Sequence, residues 1–561
     1  MKLLIRAAWA LALLPGAALA QPSFVEVTPT ADPWFVTPPE EDFWINAVAP
    51  ADVDGDGDLD LAVLGFYVVY NVSAEDFLIV FLNQGPDGGG AWTFAPQIVP
   101  LGALTAGASD LAWGDFDGDG DPDLAVGSDG VTAVYRNDAG VLAPLVDDLP
   151  GYWEDSGYTG AYDLRSLAWA DADNDGDLDL LVPSVFDFVL FQYRTALLRN
   201  DGDDGAGGWL FAEVAATGLD PTVHAQSAWG DDDGDGDLDL FLTNVDPYTG
   251  TGFVRRYGND AGTFTGGDLL PLRVEYGLAD RSDFDGDGDL DVLVAGNIEE
   301  GGTYSTVLRV YENDAGTLTA TTLVEAPNAD WLDLHAATWA DYDSDGDVDI
   351  LVTGNHVVPG EIVGKSEVFA NDGGVFTPLG VTLPAPISSV GRGGSFTWLD
   401  LDGDDDLDYL VAGAYYVQGG NGLVEAKIQL FRNDTPAANQ PPGAPAGLVA
   451  TTGPGSLALS WTAAPDDHTP GASLTYELEL RPAGAPPGTG RRLPEPGNLS
   501  SALAWEIAGL APGSYLCSVR AVDSAFAGGE RAATVVSVPA ALLFGDGFES
   551  GDTGAWSGTV P

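Results

Sequence analysis

Cysteine occurs once, at Cys517, in a chain of 561 residues, so no disulfide can form within it. Basic residues are nearly as scarce: 20 Lys and Arg stand against 87 Asp and Glu, a formal net charge of −67. So acidic a surface repels phosphate backbones and anionic headgroups, which excludes nucleic acid and acidic membrane surfaces as partners. The four histidines, His224, His335, His356 and His468, lack the spacing of a zinc site. Motifs for an activated serine, a phosphate loop or a dinucleotide are missing, so the chain is not expected to be an enzyme. No apolar run beyond residue 20 is long enough to span a bilayer.

What is present begins with an export signature. Lys2 and Arg6 precede an apolar stretch from Ala7 to Leu19, and Ala18-Leu19-Ala20 has the A-x-A form of a cleavage site. Residues 1–20 therefore read as a signal peptide, and a secreted or cell-surface location is expected. With 45% hydrophobic residues and 15 Trp the remainder can bury a large core.

One nine-residue phrase then recurs seven times, with Asp at positions one, three, five, seven and nine. The first copies are Asp52, Asp54, Asp56, Asp58 and Asp60, then Asp115, Asp117, Asp119, Asp121 and Asp123. Asp171, Asp173, Asp175, Asp177 and Asp179 form the third, and Asp231, Asp233, Asp235, Asp237 and Asp239 the fourth. The fifth is Asp283, Asp285, Asp287, Asp289 and Asp291, the sixth Asp341, Asp343, Asp345, Asp347 and Asp349. Asp400, Asp402, Asp404, Asp406 and Asp408 complete the set. Successive copies start 63, 56, 60, 52, 58 and 59 residues apart. Position six is Gly in six copies and Asp405 in the last, while position two carries an extra acid at Asp232.

Alternate carboxylates so close together need a counter-charge. At about 4 Å and an effective dielectric of about 20, each pair costs roughly 4 kcal/mol. A hard dication that accepts six to eight oxygens meets that need, and Gly at position six lets the loop turn sharply around it. An EF-hand would require Glu at position twelve, where this chain has Val63, Val126, Val182, Leu242, Val294, Val352 and Val411. A nonapeptide β-helix would repeat without gaps. About seven structural Ca2+ ions are the expectation.

Each copy is flanked by apolar β-type segments. In the second repeat the pattern predicts strands at 109–113, 124–127, 131–136 and 141–145, with Asn137-Asp138-Ala139-Gly140 as a hairpin turn. The Asn-Asp pair recurs at Asn200, Asn259, Asn313, Asn371 and Asn433. Asn, Asp and Gly tolerate the positive φ of tight turns. Runs such as Leu180-Leu181-Val182 are apolar on both faces, as in sheets packed face to face. Trp113, Trp169, Trp229, Trp339 and Trp398 stand two residues before the first loop aspartate, a repetition that marks inter-sheet core rather than a sugar platform.

These loops and strands resemble the FG-GAP/VCBS repeat of integrin-α-like β-propellers. The resemblance implies an all-β, seven-bladed propeller over residues 21–435. It also implies side-chain ligands at positions one, three, five and nine and a backbone carbonyl at position seven. A Pro/Gly-rich linker at 436–447 leads to residues 448–540, which resemble a fibronectin type III β-sandwich. The resemblance rests on Leu457 to Trp461, Leu474 to Leu478, and Leu510 to Tyr515 followed by Val519 to Ala521. Cys517 on that last stretch reads as a small buried hydrophobe. The tail, 541–561, carries Phe544-Gly-Asp-Gly-Phe-Glu-Ser-Gly-Asp and reads as a sorting signal or an ordered cap.

The last repeat stops after its third strand, while Phe24 to Thr28 has the form of a fourth strand left over at the start. Residues 23–28 are therefore expected to complete the seventh blade. In such propellers ligands meet the face opposite the metal loops, where Tyr162, Arg165, His224, Trp331, His335 and Arg392 are the candidates. The function expected is calcium-stapled adhesion or recognition of an extracellular protein or glycan by a monomer. The alternative is an extracellular polysaccharide-acting enzyme, for which Lys365 and Lys427 supply few basic groups.

Overall fold

The apolar segment after each acidic loop forms the second strand of a four-stranded antiparallel sheet. The computed structural model describes residues 24–540 except 30–41, 70–72, 88–89, 103, 105–109, 129–130, 151–166, 188–190, 216, 249–251, 270–273, 301–302, 315–316, 327–332, 359–360, 380–394, 417–423, 435–438, 484–496 and 500. The proposed signal peptide and tail, and Tyr162, Arg165, Trp331 and Arg392, lie outside the described residues, as do the side chains of His224 and His335.

Seven sheets have the same plan, with the acidic loop joining strands one and two. The second sheet is Asp110–Gly114, Asp123–Ser128, Val131–Asn137 and Leu142–Pro150, close to the strands expected from the sequence. Strand two carries Asp at its first residue and then a run buried on both faces, as in Asp123–Ser128. Among the described residues there is no helix.

Sheet packing follows chain order. The first strands of the sheets contact one another in turn from Asp42–Ala51 onward. The exception is the step from third sheet to fourth, where Asp179–Asp187 meets Val223–Gly230. The seventh sheet packs back on Asp42–Ala51. Seven apolar clusters fill the seven spaces between neighbouring sheets, the last lying between sheets one and seven. The repeated Trp sits in those spaces: Trp113, Trp339 and Trp398 are buried. Trp169 stacks on Phe116 and Trp339 on Phe284, each the position-two residue of the preceding loop. Closed stacking of four-stranded antiparallel sheets is an architecture of the β-propeller kind.

The expected closure is present. Phe24–Glu26 pairs antiparallel with Val424–Asn433, Phe24 opposite Asn433 and Glu26 opposite Phe431. It thereby supplies the fourth strand of the seventh sheet. Phe24 meets Tyr409 edge-on at 4.9 Å, and Thr28 Oγ1 accepts the Leu430 N–H at 3.1 Å.

The C-terminal segment folds as two three-stranded sheets, Ala446–Gly453 with Ser456–Thr462 and Ala504–Ala508, and Thr475–Pro482 with Gly513–Val522 and Ala532–Val538. Trp461, Tyr476, Cys517 and Val519 are buried between them, and the Tyr515 hydroxyl donates to the Ala511 carbonyl at 2.9 Å. Burial in that apolar core pushes the Cys517 thiol up to about 11. This sandwich rests on the loop end of the sheets, with Ala170 and Leu238 joining its core.

Candidate metal centres on the loop face

The loops turn by two left-handed residues rather than one. Position six lies at φ between +95° and +99° in the six glycine loops. Position four is also left-handed, from +56° at Ser344 and +57° at Asn174 to +78° at Gly403. Asp405 adopts +66° at position six, and its N–H still reaches Asp400 Oδ2 at 3.1 Å. A side chain at that φ costs on the order of 1 kcal/mol, and the turn forms all the same.

These turns fold the loop around its first carboxylate. Oδ2 of position one accepts the position-six N–H in every loop, from Gly57 to Asp52 through Asp405 to Asp400. Position five in turn accepts the N–H of position seven through Oδ1. In three loops the position-seven carboxylate points elsewhere: Asp121, Asp237 and Asp347 accept the N–H of Ala139, Ala261 and Gly373 at the next turn.

Position nine is both a candidate ligand and a scaffold. Its Oδ2 accepts the N–H of position two, and its Oδ1 accepts the backbone N–H of an asparagine 14 to 25 residues later. Those asparagines are Asn83, Asn137, Asn200, Asn259, Asn313, Asn371 and Asn433. All but Asn83 read from the sequence as turn residues, but Asn137 and Asn433 end the third strand, Asn259 and Asn313 are next to last in it, and the positive φ falls later, on Ala139 and Gly140 in the second sheet. Each side-chain amide lies in a space between sheets. Asn137 donates to Pro122 of its own loop at 3.1 Å and to Val53 of the preceding loop at 2.8 Å. Asn200, Asn259, Asn371 and Asn433 repeat that pair of contacts. The variable gap from Asp to Asn hid the pattern.

Carboxylate oxygens converge within 4.8 Å for Asp52, Asp54 and Asp60, for Asp115, Asp117 and Asp123, for Asp231, Asp233 and Asp239, and for Asp283, Asp285 and Asp291. In the third loop Asp171, Asp173 and Asp175 converge. Positions one and three thus meet in each of these five clusters, with position nine in four, and two more such groups lie among the described residues. These buried acidic clusters could hold a metal ion. The donor set is oxygen alone, which suits a hard cation. Two observations fit that occupant. The Oδ1 atoms of Asp173, Asp343 and Asp402 are buried and accept no hydrogen bond. Burial, reinforced by neighbouring carboxylates, pushes Asp60 and Asp239 up to about 7, Asp179, Asp291 and Asp408 up to about 8, and Asp123 up to about 9. A cation that displaces such protons relieves the cost of burying the charge.

Two departures from the repeat explain each other. The extra acid Asp232 occupies position two, and Arg281 stands where the next repeat should have Trp. They form a buried ion pair. Arg281 Nη1 donates to the Gly230 carbonyl at 3.0 Å, and its guanidinium lies 4.8 Å over the Phe241 ring. The pair fills the space that an apolar residue and an indole fill elsewhere.

A cavity of about 840 Å3 separates loop face and sandwich. On the sandwich side Arg520 and Arg531 are paired with Glu477. Those charges are satisfied internally.

No curated protein matches the chain. Among solved structures, an N-acetylglucosamine-recognising lectin from Agrocybe aegerita is 19% identical over 59% of this chain and 78% of its own, with a TM-score of 0.36. The extracellular domain of a putative hybrid two-component system from B. thetaiotaomicron is 11% identical, covering 93% of this chain and 58% of that one, at 0.37. An α-L-arabinofuranosidase from Fusarium graminearum is 11% identical over 73% and 97%, at 0.33. The FG-GAP-like repeat matches residues 67–126, 115–182 and 283–352, so the chain carries that repeat in three places, which contain its second, third, fifth and sixth acidic loops.

Proposed function

We propose that the chain is an exported recognition protein: a seven-bladed FG-GAP/VCBS propeller stapled by one Ca2+ per loop, followed by a fibronectin type III-like domain. The ions are structural, since each cluster draws its oxygens from one nine-residue loop. Tyr515 bonded to its upstream carbonyl, beside buried Trp461 and Cys517, supports the fibronectin-like reading.

One observation carries the recognition role. The sandwich sits on the loop face, which leaves the far end of the sheets for a partner. There the hairpins of sheets three and four present Phe191, 74% exposed, and Tyr248, 61% exposed. The two hairpins are joined by the Tyr193 N–H donating to the Tyr248 hydroxyl at 3.2 Å. Rings exposed on the turns of neighbouring hairpins can stack on a sugar face or anchor a protein surface. Deeper in the fourth sheet, the Tyr257 hydroxyl donates to Asp220 at 2.7 Å, and burial pushes it up, away from use as a base. The partner is thus an extracellular glycan or protein. A glycan and protein array with the mature chain should give ligands that F191A/Y248A loses at unchanged melting temperature. Ligands retained by that variant would place the binding face elsewhere.

A further inference from the structure

The loop face is not uniformly covered. In the first and fourth loops, a side chain added at Gly57 or Gly236 would meet nothing within 4 Å. In the sixth, a Cβ on Gly346 would lie 2.2 Å from the His468 carbonyl. In the third, one on Gly176 would lie 3.2 Å from Leu480. The sandwich therefore presses on particular loops, and position six is Gly there for close approach as well as for its φ.

Its polar contacts fall on candidate metal ligands. The Ser473 hydroxyl donates to Asp283 Oδ2 at 2.9 Å, and the Ser524 hydroxyl to Asp341 Oδ2 at 2.8 Å. Both acceptors are the position-one carboxylates of adjacent loops, five and six. Each acceptor oxygen already takes the position-six N–H, from Gly288 at 3.0 Å and Gly346 at 2.9 Å. Two donors on one oxygen fix the plane of the carboxylate. The seryl side chains are held in turn: Ser524 bonds Thr469 Oγ1 at 2.8 Å, and its carbonyl accepts the Asp341 N–H at 3.2 Å. Asp341 is 1% exposed beneath this contact. The sandwich thus meets Asp341 twice, through the Ser524 hydroxyl on its carboxylate and the Ser524 carbonyl on its N–H.

We propose that the C-terminal sandwich is a metal-dependent cap, in which Ser473 and Ser524 orient the first carboxylates of loops five and six from across the domain boundary. The proposal rests on the reading of the loops as Ca2+ sites. The coupling runs both ways: a docked sandwich tightens two sites, and occupied sites favour docking by the same factor. Residues of this outer-shell kind change metal affinity by about 10- to 100-fold when removed.

The test uses the full mature chain and calcium alone as ligand. Calorimetric titration of S473A/S524A should show two sites weakened about 10-fold with the rest unchanged. In a second variant, a protease site is inserted within 435–438. After cleavage the sandwich should stay with the ring in calcium and separate in chelator on size exclusion. Wild-type chain that binds no calcium would overturn the metal reading itself. Calcium binding that ignores the serine substitutions, or a cleaved sandwich equally retained in chelator, would overturn the coupling and leave the metal sites standing.

Discussion

Replacing Asn137 by Ala should destabilise the ring by an amount that calcium cannot restore. Asn137 is fully buried; its amide donates to the Val53 and Pro122 carbonyls, and its Oδ1 accepts the Gly140 N–H at 2.9 Å. Alanine leaves two acceptors and one donor without partners between the first two sheets. At about 1–3 kcal/mol per buried group, with some relief from entering water, the loss is about 3–6 kcal/mol. Unfolding entropy of about 2.1 cal/mol/K per residue over a ring of about 400 residues converts this into a fall of about 4–7 °C. Thermal unfolding followed by tryptophan fluorescence near neutral pH gives the reading, in calcium and again in chelator. The neighbouring exposed Asp138, whose carboxylate pairs with Arg136, serves as control, and its Ala variant should lose no more than about 1 kcal/mol. Asn137→Asp should be worse than Ala, because a carboxylate would face two carbonyl oxygens. A melting temperature for N137A within about 1 °C of wild type would show that the asparagine bridges do not hold the sheets together.

Chelation should lower the melting temperature of the ring sharply, since each site held at tenfold saturation adds about 1.4 kcal/mol and seven add about 10 kcal/mol. In chelator, stability should also fall as pH rises from about 4 to about 8. The folded position-nine carboxyls of every loop but the sixth, at about 7 to 9, keep protons that the unfolded chain has already released. Saturating calcium should abolish that slope, and a slope of opposite sign without calcium would contradict the burial argument. Deleting residues 21–30 removes the strand paired with Val424–Asn433 and should lower the melting temperature of the whole ring; an unchanged value would refute closure by that strand. Asp405→Gly should tighten the seventh site and Gly57→Asp weaken the first, where nothing lies within 4 Å to confuse strain with a clash; titrations in the reverse order would refute the turn assignment.

The architecture was readable because one rule governs it. Carboxylates fixed at odd positions announce the loop, the apolar run after them announces a doubly buried strand, and seven copies announce seven sheets. Even the closing strand could be inferred, since a repeat missing its last element and a spare copy of that element stand at opposite ends. The site was less legible where one residue serves two purposes. Asn137 resembles a turn former because a turn does follow it, but its side chain bonds two loops that no local pattern connects. Position four escaped notice because Asn174 and Ser344 replace the glycine that would have advertised its φ. Asp232 and Arg281 each look like an isolated lapse until the fold brings them together. Ser473 and Ser524 carry no sequence signal, since their meaning lies in how one domain rests on another.

The pairing of Phe24 with Asn433 also sets the order in which the molecule can be made. On the ribosome the first strand appears before the sheet it completes exists. It must wait while about 400 residues follow, because contacts so distant in sequence form last and slowly. Until then the seventh sheet has an open edge and the first strand has no place. A chain stalled at six repeats lacks Val424–Asn433, the strand on which Phe24 pairs. Closure therefore works as a completeness check, one that counts repeats by geometry and leaves every truncated ring visibly unfinished to proteases.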